Sequence, residues 1–335
     1  MKFFKNRDEF KKLIILGNDK FGVDISQILK KKVQIEVFIG PRQKKTLYNK
    51  SELLIEKYKK IGINVKVTLD IMRFKPNPFI SPYNSTLILS LGSPYIINKK
   101  IIDLYGNKII NCHKSPLPEW RGGGGMSYQI LNDDRRGNIC FHLLIKKIDK
   151  GSIVHEKGYF FPKRLQLVSE WIELLEKKSK REGIIFMKKI TKNSKFKIKK
   201  QKESLSTYFP RIHTPTHGFI NWTWDAREIQ LFINAFSYPY EGAKSFINNK
   251  TFRMMKCKLI KTKKFKHPYF YGIIFKIFQN NVYVSAKNGI LIFNKKDIKS
   301  KSKFVVGDKF FTESKYLDKA NKHRVKFSSG SLKKN

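Results

Sequence analysis

Three residues at the ends of two apolar runs have the types and spacing for acid–base chemistry on a polar reacting group. Asn111-Cys112-His113 closes the run that begins at Ile109-Ile110 and leads into Lys114-Ser115-Pro116-Leu117-Pro118, and Ile148-Asp149-Lys150-Gly151 ends a later run. In a strand, side chains alternate between faces, so Asn111 and His113 share one side while Cys112 points back into the sheet. An amide donor and a titratable ring thus converge at a strand's carboxyl end, where open α/β sheets place their ligands. Asp149 adds a carboxylate from the end of the next run. A buried Asn and His can also simply satisfy each other. The acid and the Ser-Pro-Leu-Pro turn beside them favour the catalytic reading.

Elements that would position these residues alternate along the first half. Strands are expected at 12–17, 33–39, 65–68, 85–91, 108–113, 138–146 and 153–161. Helices are expected at 24–31, 51–61 with Ser51 as its cap, 97–105 and 126–131. Such alternation predicts an α/β, mostly parallel, Rossmann-like sheet covered on both faces. An amphipathic helix at 169–189, capped by Ser169, closes this part, and a lysine-rich polar stretch follows. After one more helix at 226–236 the pattern becomes short alternating runs punctuated by Asn and Gly: 244–247, 251–260, 271–278, 282–286 and 290–294. These predict a small β-rich, OB-like domain resembling a partial barrel. The expected division is 1–190 catalytic domain, 191–213 basic linker, 214–312 C-terminal β-rich domain and 313–335 polar tail.

Composition narrows the class. The 335 residues are 41% hydrophobic, enough for packed cores, and long enough for two domains. No apolar run approaches the roughly 18 residues of a membrane span, and the charged start lacks the apolar region of a secretory signal. Cys112, Cys140 and Cys257 show no paired spacing, which predicts neither a disulfide framework nor a metal site and fits a reducing, cytoplasmic setting. A net charge of +44 would attract polyanions. Its lysines are spread along the whole chain among many Ile and Asn, however, a pattern that favours a compositionally lysine-rich solvated surface.

These motifs, in this order, resemble the signature of the folate-dependent formyltransferases, the family of methionyl-tRNA formyltransferase and the nucleotide-sugar N-formyltransferases. The likeness rests on Asn111-Cys112-His113, Ser115 to Pro118 with Arg121-Gly122, Asn138 to Gly151, and Phe232 to Ala243 with Pro239-Tyr240-Glu241-Gly242, and spans roughly Lys12 to Thr312. The resemblance implies transfer of a formyl group from 10-formyltetrahydrofolate to a primary amine through a tetrahedral intermediate, with no metal. Asn111 and His113 would stabilise the oxyanion, at roughly 3–4 kcal/mol per preorganised donor. Asp149 would hold the imidazole and assist proton removal. The folate donor would contact Leu91, Gly92, Ser115, Pro116, Leu117, Pro118, His142 and Ile148. His142 is read equally as core packing, and the Gly122 to Gly125 run as a permissive turn more than a phosphate cradle.

Two departures stand out. Lys146-Lys147 replaces a more usual acidic residue and Gly, and Pro116 replaces a more usual Leu, which should stiffen its turn. The acceptor is read from other segments. Gly17 to Gly22 lacks the Gly-Thr-Pro-x-Phe of the tRNA enzymes, and their longer basic loop is reduced to Pro41 to Lys45. Gly40-Pro41-Arg42, Tyr208-Phe209-Pro210-Arg211, Gly218 to Trp222 and Val306 to Phe310 look closer to the amino-sugar enzymes. A nucleotide-linked amino sugar is therefore the favoured acceptor, initiator Met-tRNA the alternative, and a catalytically dead RNA-binding relative the remote one. Oligomeric state stays open, a homodimer included.

Overall fold

The structure, a computed structural model, describes residues 1–80, 82–300 and 302–325, together with the backbone of 327–328 and 331–332. Its first half contains β1 (Lys12–Leu16), α1 (Phe21–Leu29), β2 (Gln34–Ile39), α2 (Leu54–Lys60), β3 (Val65–Val67), β4 (Thr86–Ser90), α3 (Lys99–Tyr105), β5 (Ile109–His113), the two-residue β6 (Arg121–Gly122), α4 (Gly125–Leu131), β7 (Arg136–Leu143), β8 (Ile153–Phe160) and α5 (Val168–Thr191). One sheet takes the order β3-β2-β1-β4-β5-β7-β8. The first five of these strands run parallel. Continuous apolar runs explain this: Leu13 to Leu16 and Leu87 to Leu89 are wholly buried, as strands covered on both faces require. The last two strands turn antiparallel, β7 against β5 and β8 against β7, so the expected mostly parallel sheet carries an antiparallel edge.

Chain order reverses between β1 and β4, and the carboxyl ends of these strands open a crevice there. One apolar cluster lies beneath α1 and α5 and a second covers the other face of the sheet against α3. Among the described residues no helix is long and apolar enough to cross a membrane.

Two expected helix caps differ. Ser51 does not cap α2: the Asn49 side chain accepts from the Ser51 and Glu52 N–H groups, and the helix opens at Leu54 with Glu56 accepting from Leu53 N–H at 2.9 Å. Ser169 likewise lies inside α5, whose start is closed by Glu170 accepting from Leu167 N–H at 2.9 Å. In both helices a carboxylate at the positive helix end does what a hydroxyl was expected to do.

Beyond α5 come β9 (Tyr208–Phe209), α6 (Thr214–His217), α7 (Ala226–Phe236), β10 (Ala243–Ile247), β11 (Lys250–Met254), β12 (Lys258–Lys261), β13 (Ile274–Phe278), β14 (Asn281–Ala286), β15 (Gly289–Asn294), β16 (Ile298–Lys299) and α8 (Ser314–Lys322). The strands form two antiparallel sheets, β10-β11-β16 and β12-β15-β14-β13. The run expected at 251–260 is broken after Met254, and its two pieces enter different sheets. Asn248, Asn249 and Asn288 take positive φ at the turns, as short polar side chains tolerate. A further core joins the two halves of the chain: Ile130 of α4, Phe161 just after β8 and Trp171 of α5 pack with Ile229, Phe232 and Phe293.

The expected tail at 313–335 begins instead with α8, because Tyr316 stacks on Phe219 at 4.6 Å and docks the helix. The part of that expectation that falls on 326, 329–330 and 333–335 lies outside the described residues.

Candidate active site

Alternation along β5 sends Asn111 and His113 to one side and packs Cys112 into the core. Asn111 is fixed from both neighbouring strands. Ser90, its partner on β4, donates its hydroxyl to Asn111 Oδ1 at 2.7 Å. That leaves the amide NH2 toward His142 Nε2 at 3.0 Å, across the antiparallel pairing with β7, and toward Asp149 Oδ1 at 3.3 Å. His142 is buried, and its Nδ1 lies 2.9 Å from the Leu143 carbonyl. A carbonyl only accepts, so Nδ1 carries a proton, and Nε2 sits between the Asn111 amide and Asp149 Oδ1, the latter 3.5 Å away. The same reasoning assigns His113: Nε2 donates to the Trp120 carbonyl at 2.6 Å, and Nδ1 faces Asp149 Oδ2 at 3.6 Å.

Asp149 holds the group together from an unusual backbone position. Its φ of 51° is left-handed, a region that Asp enters more readily than most residues. Lys146 and Lys147 do not take positive φ, so the twist of this loop falls on the acid itself. Gly151 must follow closely, since a Cβ there would sit 1.6 Å from the Leu143 carbonyl oxygen. Across the site, Gly122 N–H donates to Asp149 Oδ2 at 2.9 Å. Gly122 has φ 102°, and any side chain would strike the Phe209 carbonyl.

Burial alone would raise the Asp149 carboxyl. The charge of His113, the hydrogen bond and charge of His142 and the Gly122 N–H outweigh it and hold the group well below the usual carboxylate range. A folded-state value below the unfolded one of about 3.9 contributes stability that is fully present above that pH and is lost as pH falls through the folded value. Asp149→Asn is therefore expected to lower Tm by about 2 °C at pH 7. The gap to wild type should begin to narrow below about pH 4 and close only as pH falls through the folded value, which calorimetry from pH 7 down to about pH 2 would reveal as converging curves.

Two cavities meet at this cluster. One, of about 460 Å³, lies between segments 92–97 and 144–149 and is lined by Asn111, His142 and Asp149. The other, of about 630 Å³, is lined by Asn18, Arg42, Lys114, Ser115, Glu176 and Tyr240 among others. His113, Gly92, Cys112, Gly122, Gly123 and Arg211 line both. Lys114 is committed to Asp19 and Lys20 to Glu176. Arg42 and Arg211 have no hydrogen-bond or ion-pair partner among the described residues. Partial enclosure first, then the charge of Arg42, pushes the Arg211 guanidinium below its ordinary value.

The expected folate contacts divide. Gly92, His142 and Ile148 line the smaller cavity with the catalytic candidates, and Ser115 lines the larger one. Leu91 is wholly buried, and its carbonyl accepts from Asp19 N–H at 3.3 Å; Leu117 packs with Cys140 and Ile153. Neither Leu91 nor Pro116, Leu117 or Pro118 lines either cavity. Among the described residues no group of three or more His, Cys, Asp or Glu side chains could hold a metal ion.

Sequence reading missed Ser90 and the segment expected to be a linker. Residues 199–211 run along the site as a strap. Lys199 exchanges two backbone hydrogen bonds with Ile153, Gln201 reaches the Asp149 loop, and β9 pairs in parallel with β6. Only the aromatic pair Tyr208-Phe209, flanked by turn-forming residues, hinted at structure there.

Residues 80–159 match the family model described as "Formyl transferase", and residues 213–312 match "Formyl transferase, C-terminal domain". The methionyl-tRNA formyltransferase of Finegoldia magna is 23% identical over 312 residues, covering 89% of this chain and 97% of that protein. The sugar 3N-formyltransferase WlaRD, solved with dTDP and 5-N-formyl-THF, superimposes with a TM-score of 0.63 at 22% identity, covering 88% of this chain and 99% of that one. The N-formyltransferase of Helicobacter canadensis, in complex with folinic acid and dTDP-3-aminofucose, gives 0.60 at 21%, covering 85% and 98%. The two family matches together span more than half of the chain, and the chain belongs to the formyltransferase family. It is an enzyme of that class, a formyl-transferring one.

Proposed function

We propose that this enzyme transfers the formyl group of 10-formyltetrahydrofolate to the primary amine of a nucleotide-linked amino sugar, with Asn111, His113 and Asp149 as its catalytic residues. The carrying observation is that two cavities meet at His113, the arrangement a two-substrate transfer needs. The smaller cavity fits the donor. Tyr95, Ile97, Leu144 and Ile145 offer flat apolar walls, and the backbone of 92–97 and 144–149 offers polar groups to ring edges. The donor supplies an activated formyl carbon there.

Everything else falls to the chain's own side chains. Asp149, kept ionised, faces the His113 ring at 3.6 Å and stands ready to take the proton of the incoming amine, which balances the one that N10 of the departing tetrahydrofolate must gain. Asn111, its oxygen occupied by Ser90, presents N–H groups where negative charge develops on the formyl oxygen. Gly92, His142 and Ile148 contact the donor in this reading.

Acceptor choice rests on the larger cavity. Arg42 and Arg211 stand there without carboxylate partners, as a diphosphate would require. The solved relatives named above carry dTDP or a dTDP-linked amino sugar. Transfer to initiator Met-tRNA is the second reading, favoured by the near full-length likeness to the Finegoldia enzyme. Offering dTDP-linked amino sugars and charged initiator tRNA side by side separates them. Formylation of the sugar, with Arg42→Ala raising its KM about tenfold and leaving the donor KM unchanged, is the expected result. Formylation of the tRNA alone would overturn the acceptor assignment, and a Tm unmoved by 5-formyltetrahydrofolate would count against the donor.

A further inference from the structure

We infer that Gln201 is a positioning residue for formyl transfer, holding the backbone of the Asp149 loop so that its carboxylate stays against His113. Gln201 lines neither cavity, and its amide is spent within the protein. Its Nε2 donates to the carbonyls of Asp149 at 2.8 Å and Gly151 at 2.7 Å, spanning the turn at Lys150. A primary amide has two N–H groups, and both are used. The amide cannot flip, because its Oε1 accepts from Arg121 Nε at 3.1 Å and Nη2 at 2.9 Å. Flipping would turn N–H groups toward a guanidinium and an oxygen toward two carbonyls.

Arg121 is itself held. Its side chain is 3% exposed, and Nη1 donates to both oxygens of Glu203, which also pairs with Lys150. The strap therefore grips the loop at three consecutive residues, 149–151. The next residue after Arg121 completes the arrangement, because Gly122 N–H holds the carboxylate of the same Asp149. One two-residue strand thus sets the side chain of Asp149 directly and its backbone through Gln201. A left-handed φ at a non-glycine residue persists only when its surroundings impose it, and Gln201 is the group that binds the carbonyls on either side of the turn.

This inference rests on Asp149 acting in the reaction, and the test separates the two. Formyl transfer by the full chain, with whichever acceptor it turns over, is measured for Gln201→Ala, Asp149→Asn and the double variant. Gln201→Ala is expected to lower kcat about 10- to 30-fold with both KM values within about threefold. If Gln201 acts through Asp149, the double variant is no slower than Asp149→Asn alone. Gln201→Glu, which keeps the side-chain length and the contact with Arg121 but sets an oxygen against two carbonyls, is expected to be as slow as Gln201→Ala.

A second readout needs no turnover: NMR titration of the Asp149 carboxyl should show it moving up toward about 3.9 in Gln201→Ala. Losses that multiply in the double variant, an unmoved carboxyl titration, or kcat within twofold of wild type would overturn the role of Gln201. If Asp149→Asn is slow while Gln201→Ala is not, only this inference falls. If Asp149→Asn turns over like wild type, the reading of Asp149 falls and takes this one with it.

Discussion

Replacing His113 by alanine is expected to lower kcat by about three orders of magnitude, with little change in either KM. General acid–base groups contribute roughly 10²- to 10⁴-fold. His113 is the one candidate that both lines the two cavities and faces Asp149. The Trp120 carbonyl that takes its Nε2–H would lose a partner, a cost of about 1–3 kcal/mol to stability. Asn111 keeps its hydrogen bond from Ser90 and its place beside His142, so the donor proposed for the oxyanion survives the change. Steady-state kinetics with thermal melts alongside would check this. A folded His113→Ala protein turning over within tenfold of wild type would remove His113 from the catalytic set.

Gly151→Ala should be strongly damaging. The added carbon would lie 1.6 Å from the Leu143 oxygen and 2.7 Å from its carbon, both backbone atoms with no rotamer to yield. Leu143 is also tied to the same turn, its N–H donating to the Ser152 carbonyl at 2.9 Å. The backbone must part, with an expected destabilisation of about 3–4 kcal/mol. The displaced turn carries Asp149 two residues earlier, so kcat should fall at least about 100-fold even where the variant remains folded. Denaturant melts and activity measured well below the melting range test the two effects separately. A variant of wild-type stability would mean that the close approach is not tight.

What the sequence disclosed was local. Strand alternation was enough to place Asn111 and His113 on one face, and apolar runs located the core strands. Asp149 was legible as the acid ending a run. Contacts set by register were not. Ser90 meets Asn111 only because β4 and β5 pair with no offset between those two residues, and His142 meets it only because β7 returns antiparallel. Nothing near Gln201 in the chain hints at Asp149, 52 residues away. Composition misled there, since a lysine-rich polar stretch reads as a tether. Helix caps failed for a different reason: the helices open at Leu54 and Val168, so neither serine stands at the capping position, and Glu56 and Glu170 bind the N–H groups of Leu53 and Leu167 there instead. Arg42 and Arg211 were each noted within a separate motif, and only the fold brings them to one cavity.

The strap also limits how an enzyme of this shape can change its acceptor over evolutionary time. Gln201, which grips the Asp149 loop, and Arg211, which lines both cavities, are ten residues apart on one segment. An insertion or deletion between them would slip one function against the other, and exchanging whole C-terminal halves at a junction in the lysine-rich stretch would import a foreign grip on Asp149. Point substitution around the larger cavity leaves that register untouched, so drift in acceptor preference is channelled into single side chains.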